Sequence, residues 1–350
     1  MRSRDGPRFS DGDGDSESDA FARRRGGSPG GVFSVSRLMN SVSQRSSHPV
    51  KAHVPALAPG VSALAAFKTV AAMLLDHIHA NHPGVIEGSD PEYLHQMRVA
   101  VRRLRSLLSA YRKVLPKAAV RPLIGELKWL ARALGPARDA DVFATEIWPP
   151  LRAALGPNPL LVRLDASWDA RRRAASAKVH RALGTRRYQR FMHSFLRQLA
   201  DDAWRAAASR RQRAVLDGSA HDFAHRLIER RDAKVRAHAH AITERDARQL
   251  HALRIQIKKL RYAVDSFGTL FGRDAVRVIL ASLSRLQNIL GAMNDLEVAE
   301  HQVAAALAQR CGRAARALHA ALASWRAERT AALQRKLSAA WRGYRRAERL

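Results

Sequence analysis

LHQMRVAVRRLRSLLSAYRKVL, residues 94–115, returns 156 positions later in closely similar form as LHALRIQIKKLRYAVDSFGTLF, residues 250–271. In both stretches the apolar residues recur at steps of three and four, which is typical of an amphipathic helix. At about 100° per residue, the first helix has an apolar stripe on one side and arginines on the other. The sequence therefore predicts one basic helix that is used twice.

The repeat extends beyond this helix. The same displacement aligns LARALGPARDADV, residues 130–142, with LQNILGAMNDLEV, residues 286–298. A constant displacement across several helices and loops indicates an internal duplication, with units at about 58–216 and 217–350 and the second cut short in its last helix. Helical periodicity with no alternating strand pattern predicts an all-α fold. Residues 1–57 are rich in Ser, Gly, Arg and Asp, and we interpret them as a disordered tail.

Local signals place the ends of the helices. Proline followed by glycine predicts that the first helix ends at Pro83-Gly84, and Gly135-Pro136 predicts the end of a later one. Asp90, just before a proline, is a candidate N-cap. Asp139 follows the second break, as Asp295 follows Gly291, and both are interpreted as N-caps. The alternative for Asp139 is to orient an arginine of the site, such as Arg138.

Composition restricts the class of partner. The chain has 61 Lys and Arg against 31 Asp and Glu, a net charge of +30, which attracts polyanions. Cys311 is the only cysteine, so we expect no disulfide within the chain and a cytoplasmic location. The N-terminus has no apolar signal segment. Two prolines, a glycine and a lysine interrupt the longest apolar run, residues 54–75, so we predict no membrane span.

The basic face of the repeated helix has two interpretations. A solvated face would usually mix acidic residues among the basic ones, yet residues 94–115 contain no Asp or Glu. Like charges one turn apart repel by a few tenths of a kcal/mol per pair. An acidic ligand that relieves this repulsion, in both copies, is the favoured explanation. In the second copy Lys258 and Lys259 keep the charge of Arg102 and Arg103, and Asp265 replaces Ser109.

The motifs HxxRVxxRRLR and HxxRIxxKKLR, each followed by LGxxRD or LGxxND, resemble the two halves of a CHAD domain, the conserved histidine α-helical domain. The resemblance covers residues 58–350. It implies two antiparallel helical bundles around a pseudo-twofold axis, with a basic central groove that binds inorganic polyphosphate. Carried over position by position, the polyphosphate-binding residues are His95, Arg98, Arg102, Arg103, Arg105, His251, Arg254, Lys258, Lys259 and Arg261.

Polyphosphate suits such a surface, because a chain of phosphates without bases needs charge-assisted donors and no base-reading code. A nucleic-acid backbone is the alternative partner, since the same charge serves both. The basic face carries no aromatic residue on which bases could stack, which favours polyphosphate. Each histidine is either a phosphate donor or a structural support for an arginine. If it is a donor, binding weakens as pH rises through its titration.

We predict no catalysis, because the chain has no Gly-rich phosphate loop, no supported catalytic constellation and no ExExK triplet of the tunnel domains found in some relatives. No cofactor and no metal site are expected, and the histidines of HIHANH, residues 77–82, are interpreted as solvated. Binding would place the protein at polyphosphate granules. The oligomeric state is left open by the sequence.

Overall fold

The computed structural model describes residues 48–88, 90–240, 242, 246–307, 312–347 and 350. Most of the predicted tail, residues 1–47, lies outside them. Within the described residues the chain is all α-helical, with an isolated β-bridge between Ser62 and Ser219 and no strand. No helix in these residues is both long enough and apolar enough to cross a membrane.

The helices are α1 Ala63–Glu87, α2 Pro91–Tyr111, α3 Lys117–Val142, α4 Trp148–Leu155, α5 Pro159–Leu183, α6 Arg186–Ala200, α7 Ala203–Ala206, α8 Arg210–Leu216, α9 Ala220–Ala237, α10 Ala247–Phe267, α11 Arg273–Leu307 and α12 Arg313–Arg346. A π-helical turn, Phe143–Ile147, joins α3 to α4, and a 3-10 turn, Gly268–Leu270, follows α10.

Helix α1 does not end where the sequence predicted. It continues through Pro83 to Glu87, and its C-cap is Gly88 with φ of 70°. A proline inside a helix loses one backbone hydrogen bond. Packing against α2 holds the last turn, because a Cβ added at Gly84 would lie 2.4 Å from ring atoms of Tyr93. The glycine therefore allows a close helix contact and is not a helix terminator here.

Helix α2 begins as predicted. The Asp90 carboxylate accepts a hydrogen bond from the Glu92 backbone N–H at 2.7 Å, with proline in the first turn, so the N-cap prediction is confirmed. The apolar stripe is also confirmed, because Met97, Leu104 and Tyr111 have no exposed surface. Burial of this stripe fixes the rotation of α2 and so directs its arginines to the opposite side.

Helix α3 also passes through its predicted break. It runs through Gly135-Pro136 to Val142, and so Asp139 lies inside a helix. Burial of Leu134 and Ala137 on either side of the proline offsets a cost of about 3 kcal/mol for the lost hydrogen bond and ring clash. The N-cap prediction for Asp139 is therefore wrong, and it is wrong for Asp295 as well, which lies inside α11.

Two apolar cores hold the helices together, and both contain residues from the two predicted repeat units. In the larger core the ring centroids of Tyr111 and Phe223 are 4.3 Å apart, and the Tyr111 hydroxyl donates a hydrogen bond to Ala63 O at 2.9 Å. The smaller core includes Trp168 of α5 and Trp325 of α12. The units thus share their interior, while the duplication itself stays a prediction.

Residues 48–57, the end of the segment predicted to be disordered, contact the helices. His77 Nε2 donates to Val50 O at 2.8 Å, and Thr269 Oγ1 donates to Pro55 O at 2.9 Å. Burial lowers the pKa of His77 to about 4. The prediction that this histidine is solvated is wrong, because this non-helical segment covers it.

Candidate functional site

The two copies of the basic helix, α2 and α10, lie against each other. Arg98 and Arg102 of α2 are close enough to Arg254 and Lys258 of α10 for the charges to affect one another's pKa. We call these four residues the central cluster. The structure therefore brings together four of the ten residues that the sequence predicted, two from each copy.

Arg98 is held in place by α3. Its guanidinium donates to Leu134 O at 3.2 Å and to the Asp139 carboxylate at 3.2 Å. Gly135 makes room for it, because an added Cβ would lie 3.2 Å from Arg98 Nη1. Burial lowers the Arg98 pKa, Asp139 opposes this, and Arg102 lowers it further. The LGxxRD motif thus supplies the space and the carboxylate that fix one arginine of the cluster.

Arg254 is held differently in the second copy. Its Nη1 donates to Asn294 Oδ1 at 3.1 Å, and Asn294 Nδ2 lies 3.5 Å from Asp295 Oδ1. Burial raises the pKa of Asp295, while Arg254 and the Asn294 hydrogen bond lower it. Burial also lowers the pKa of Arg254, and Arg102 adds to this effect. The amide therefore separates this arginine from its carboxylate.

Lys258 carries the largest electrostatic cost of the cluster. Burial lowers its pKa to about 7, the charges of Arg254, Arg102 and Arg98 add to the shift, and Asp295 opposes it. The Nε atoms of Arg102 and Arg254 are buried without a hydrogen-bond partner among the described residues. The cluster consequently combines excess positive charge with buried donors that the described residues leave without a partner.

Arg103 of α2 and Arg261 of α10 share one carboxylate. The Asp265 carboxylate accepts from Arg103 Nη2 at 3.4 Å and lies 3.8 Å from Arg261 Nε. Their side chains are 13% exposed and that of Asp265 is 15% exposed. Asp265 thus links α2 to α10 and compensates part of the positive charge of Arg103 and Arg261. The sequence indicated only that a carboxylate replaces Ser109 near the basic face.

The remaining predicted residues are dispersed. Lys259 is on another side of α10, where Arg231 and Lys234 of α9 help to lower its pKa after burial. His95 and Arg105 are half-buried, and His251 is exposed. The structure therefore does not place the two histidines in equivalent surroundings, and their roles stay predictions.

The sequence analysis did not identify which arginine each acidic residue near the site contacts. Asp139 does orient an arginine, but the partner is Arg98, while Arg138 donates to Glu146 at 3.1 Å. The recurrent Asp at the end of each LGxxRD or LGxxND motif was the available signal. Among the described residues, no group of three or more His, Cys, Asp or Glu side chains could hold a metal ion.

The site and fold define an all-α protein in which basic residues of two paired helices come together where the helices meet. The CHAD domain family model matches residues 69–304, so the chain belongs to the CHAD-domain family, which is linked to polyphosphate binding.

The chain is similar to the crystal structure of the CHAD domain from the plant Ricinus communis. The TM-score is 0.73 at 30% identity, over 87% of this chain and 99% of that one. PptA from Streptomyces chartreusis shares the fold, with a TM-score of 0.59 at 14% identity over 82% of this chain and 99% of that one.

Two uncharacterized proteins of Mycobacterium tuberculosis, from strains CDC 1551 and H37Rv, are each 30% identical over 223 residues. The match covers 61% of this chain and 40% of each of those proteins, so the chain spans less than half of these relatives.

Proposed function

We propose that the protein binds inorganic polyphosphate along the junction of α2 and α10, over the central cluster, and does not catalyse its conversion. The observation that carries the proposal is that Arg98, Arg102, Arg254 and Lys258 converge from two helices, although the pKa of three of them is lowered by burial. Such a concentration of charge is unfavourable without a counter-ion. A bound polyanion would relieve it.

The nature of the anion follows from the spacing of its charges. In polyphosphate the phosphate groups share bridging oxygens, whereas a ribose separates those of RNA. A compact cluster of cations contacts more phosphates of the denser polymer, and each charge-assisted hydrogen bond is worth about 1.5 kcal/mol or more. Tyr111 and Phe267 of the two basic helices are buried, so neither offers a base-stacking platform.

The test compares long-chain polyphosphate with RNA of equal total charge by calorimetry over a salt series. The variant is Arg102→Gln with Lys258→Gln, and the control is Arg163→Gln with Arg316→Gln, which removes two exposed charges from α5 and α12. We expect the variant to lose roughly a hundredfold in polyphosphate affinity, and the slope of log K against log salt to fall by about one to two. The control should stay close to the wild type.

Two results would contradict the proposal. One is equal affinity for polyphosphate and RNA, which would favour the nucleic-acid alternative. The other is a variant that binds polyphosphate as tightly as the control. Absence of catalysis is tested separately, by incubating the protein with polyphosphate and Mg²⁺ and following chain length on gels. Shortening of the polymer would show that the protein is an enzyme.

Binding of this kind would also recruit the protein to polyphosphate granules. A fluorescent fusion should co-localise with granules in cells that accumulate polyphosphate and spread evenly in cells that cannot make it. The Arg102→Gln and Lys258→Gln variant should be diffuse in both. A fusion that forms the same foci without polyphosphate would contradict granule targeting.

A further inference from the structure

The outer sides of α3 and α6 carry exposed cations. Along each helix they are spaced by four or seven residues, so they form a straight row. We call the two rows together the outer basic face, and its residues are Arg121, Lys128 and Arg132 of α3 with Arg186, Arg190 and Arg197 of α6. Each is two positions from a buried residue of its own helix, so its side chain points about 200° away from that residue.

Few acidic residues accompany this face. Glu126 is the only acid in residues 117–132, and its carboxylate accepts two hydrogen bonds from Arg187 at 2.7 and 3.2 Å. Helix α6 has no acid, and Asp201 and Asp202 lie beyond its end. Within the described residues, none of the six cations makes an ion pair. The protein therefore leaves most of the positive charge of this face uncompensated.

The corresponding helix of the other half lacks such a row. At the positions 156 further along the chain, α11 has Arg277, Ser284 and Asn288. Arg277 donates to the Asp274 carboxylate at 3.2 Å, so even this charge is paired. A helix at this place thus packs without a row of cations. An anion outside the helix bundle accounts for the three cations on α3.

The shape of the face restricts the kind of anion. The row on α6 is about 16 Å long and packed helices lie about 8–10 Å apart, so the cations spread over the width of two helices. The major groove of a nucleic-acid duplex is about 12 Å wide and admits one helix. The Arg187 guanidinium covers Trp129 at 4.4 Å from the ring centroid, so this ring offers no platform for bases. A plane of phosphate groups can meet both rows at once.

We propose that the outer basic face docks the protein on a bilayer that contains anionic phospholipids. The guanidinium and ammonium groups contact the lipid phosphates, and each such charge strengthens binding about fivefold. No large apolar side chain of α3 or α6 is exposed, so the contact is electrostatic and stays at the bilayer surface. The inference goes beyond the proposed function and does not depend on it. A protein with both sites would hold polyphosphate beside a membrane.

Sedimentation with vesicles tests the docking. The vesicles consist of phosphatidylcholine, either alone or with phosphatidylglycerol as about a third of the lipid, and we expect the wild type to bind only the anionic ones. Lys128→Gln with Arg190→Gln, one change in each row, should lower the partition coefficient about thirtyfold. Arg163→Gln with Arg316→Gln is the matched control and should stay close to the wild type. Equal binding of the two variants, or no binding of the wild type, would overturn the proposal.

Two controls separate electrostatic docking from other causes. At about 1 M salt the Debye length is about 3 Å, and vesicle binding should disappear, whereas binding that survives would indicate apolar insertion and contradict the proposal. Arg132→Gln with Arg186→Gln is an independent pair of exposed residues, again one from each row, and should give the same loss. A normal affinity in this second pair would count against the face as a whole.

The two rows should contribute separately. Lys128→Gln alone and Arg190→Gln alone should each lower vesicle binding about fivefold. If only Arg190→Gln has an effect, and it also lowers the affinity for duplex DNA, the face binds a nucleic acid with one helix and the lipid proposal fails.

Docking and polyphosphate binding should also be separable. Lys128→Gln with Arg190→Gln should keep the calorimetric affinity of the wild type for polyphosphate, and Arg102→Gln with Lys258→Gln should still bind anionic vesicles. If the first variant loses polyphosphate affinity as strongly as vesicle binding, the outer basic face is a polyphosphate surface and the lipid proposal is overturned. If the second variant keeps its polyphosphate affinity while vesicle binding follows the outer basic face, the proposed function fails and the docking proposal stands.

Discussion

Lys258→Met is expected to stabilise the ligand-free protein and to weaken polyphosphate binding at the same time. Arg98 and Arg102 of α2 and Arg254 of α10 disfavour the charge of Lys258, and Asp295 of α11 favours it. Methionine has a similar length, adapts to irregular surroundings and carries no charge. The substitution therefore removes a repulsion from the empty site and a donor from the occupied one.

The size of the effect follows from the pKa of Lys258, which falls from 10.5 to about 7. At about 1.4 kcal/mol for each pKa unit, a fully sheltered lysine would cost roughly 4 kcal/mol at neutral pH. The junction is partly open to water, so we expect about 1–2 kcal/mol. This corresponds to a rise of about 2–6 °C in melting temperature.

The pH dependence has a definite sign. Because the folded protein holds the Lys258 proton less tightly than the unfolded chain, the destabilisation is complete below about pH 7 and disappears as pH rises toward 10.5. Thermal melts of the variant and the wild type should differ most near pH 6 and least near pH 10. Lys178→Met, at an exposed position on α5, is the control and should show little difference at either pH.

The affinity for polyphosphate should also depend on the protonation of Lys258. In the wild type, polyphosphate affinity falls as pH rises above about 7, because the neutral amine no longer contributes a charge-assisted donor. Lys258→Met should show a flatter profile. A variant that melts below the wild type near pH 6 would refute the reasoning, as would an unchanged pH profile of calorimetric affinity.

Four further substitutions test the scaffold. Alanine at Gly291 meets no atom within 4 Å and should raise the free energy of unfolding by about 0.5–1 kcal/mol. Alanine at Gly135 crowds Arg98 and should stabilise less while weakening polyphosphate binding, as shown by urea titration and calorimetry. Asp265→Asn should lower the free energy of unfolding by about 1–3 kcal/mol, because two half-buried arginines lose their carboxylate. The same change should raise the affinity for polyphosphate at low salt. A lower affinity would contradict this expectation. Gly84→Ala places a Cβ against the ring of Tyr93 in α2 and should lower the free energy of unfolding by about 1–3 kcal/mol. The affinity of the folded fraction for polyphosphate should not change. An unaltered midpoint of urea unfolding would disprove the close contact.

The sequence predicted what depends on neighbours along the chain. Periodicity placed Met97 and Leu104 in the core, and the Asp90 cap followed from side-chain chemistry within one turn. The breaks predicted at Pro83 and Pro136 failed because contacts with other helices outweigh a local preference. Burial of distant residues cannot be read from a periodic pattern, since it depends on which helix packs against which.

The candidate site shows the same division. The helical wheel correctly set Arg103 on a different side from Arg98 and Arg102, because angular position depends only on helix geometry. Which acid meets which arginine depends on packing, and so the pairing of Arg103 with Asp265 across two helices was out of reach. In the same way, Arg231 of α9 and Lys259 of α10 line one crevice, a proximity that their positions in the sequence do not indicate.

The cations of the central cluster differ in whether a neighbouring protein group holds them. Asp139 and Leu134 O occupy donors of Arg98, so this arginine offers a ligand mainly a positioned charge. For Arg102 and Lys258 the described residues show no such hydrogen-bond partner, and Arg102 Nε is buried. Lysine can follow a flexible polymer, because its ammonium rotates freely on a flexible stem, whereas guanidinium geometry is fixed. The junction thus combines Arg98, which α3 holds in place, with Lys258, whose ammonium can adjust its position. This combination suits a polyanion whose phosphates can bind in more than one position along the chain.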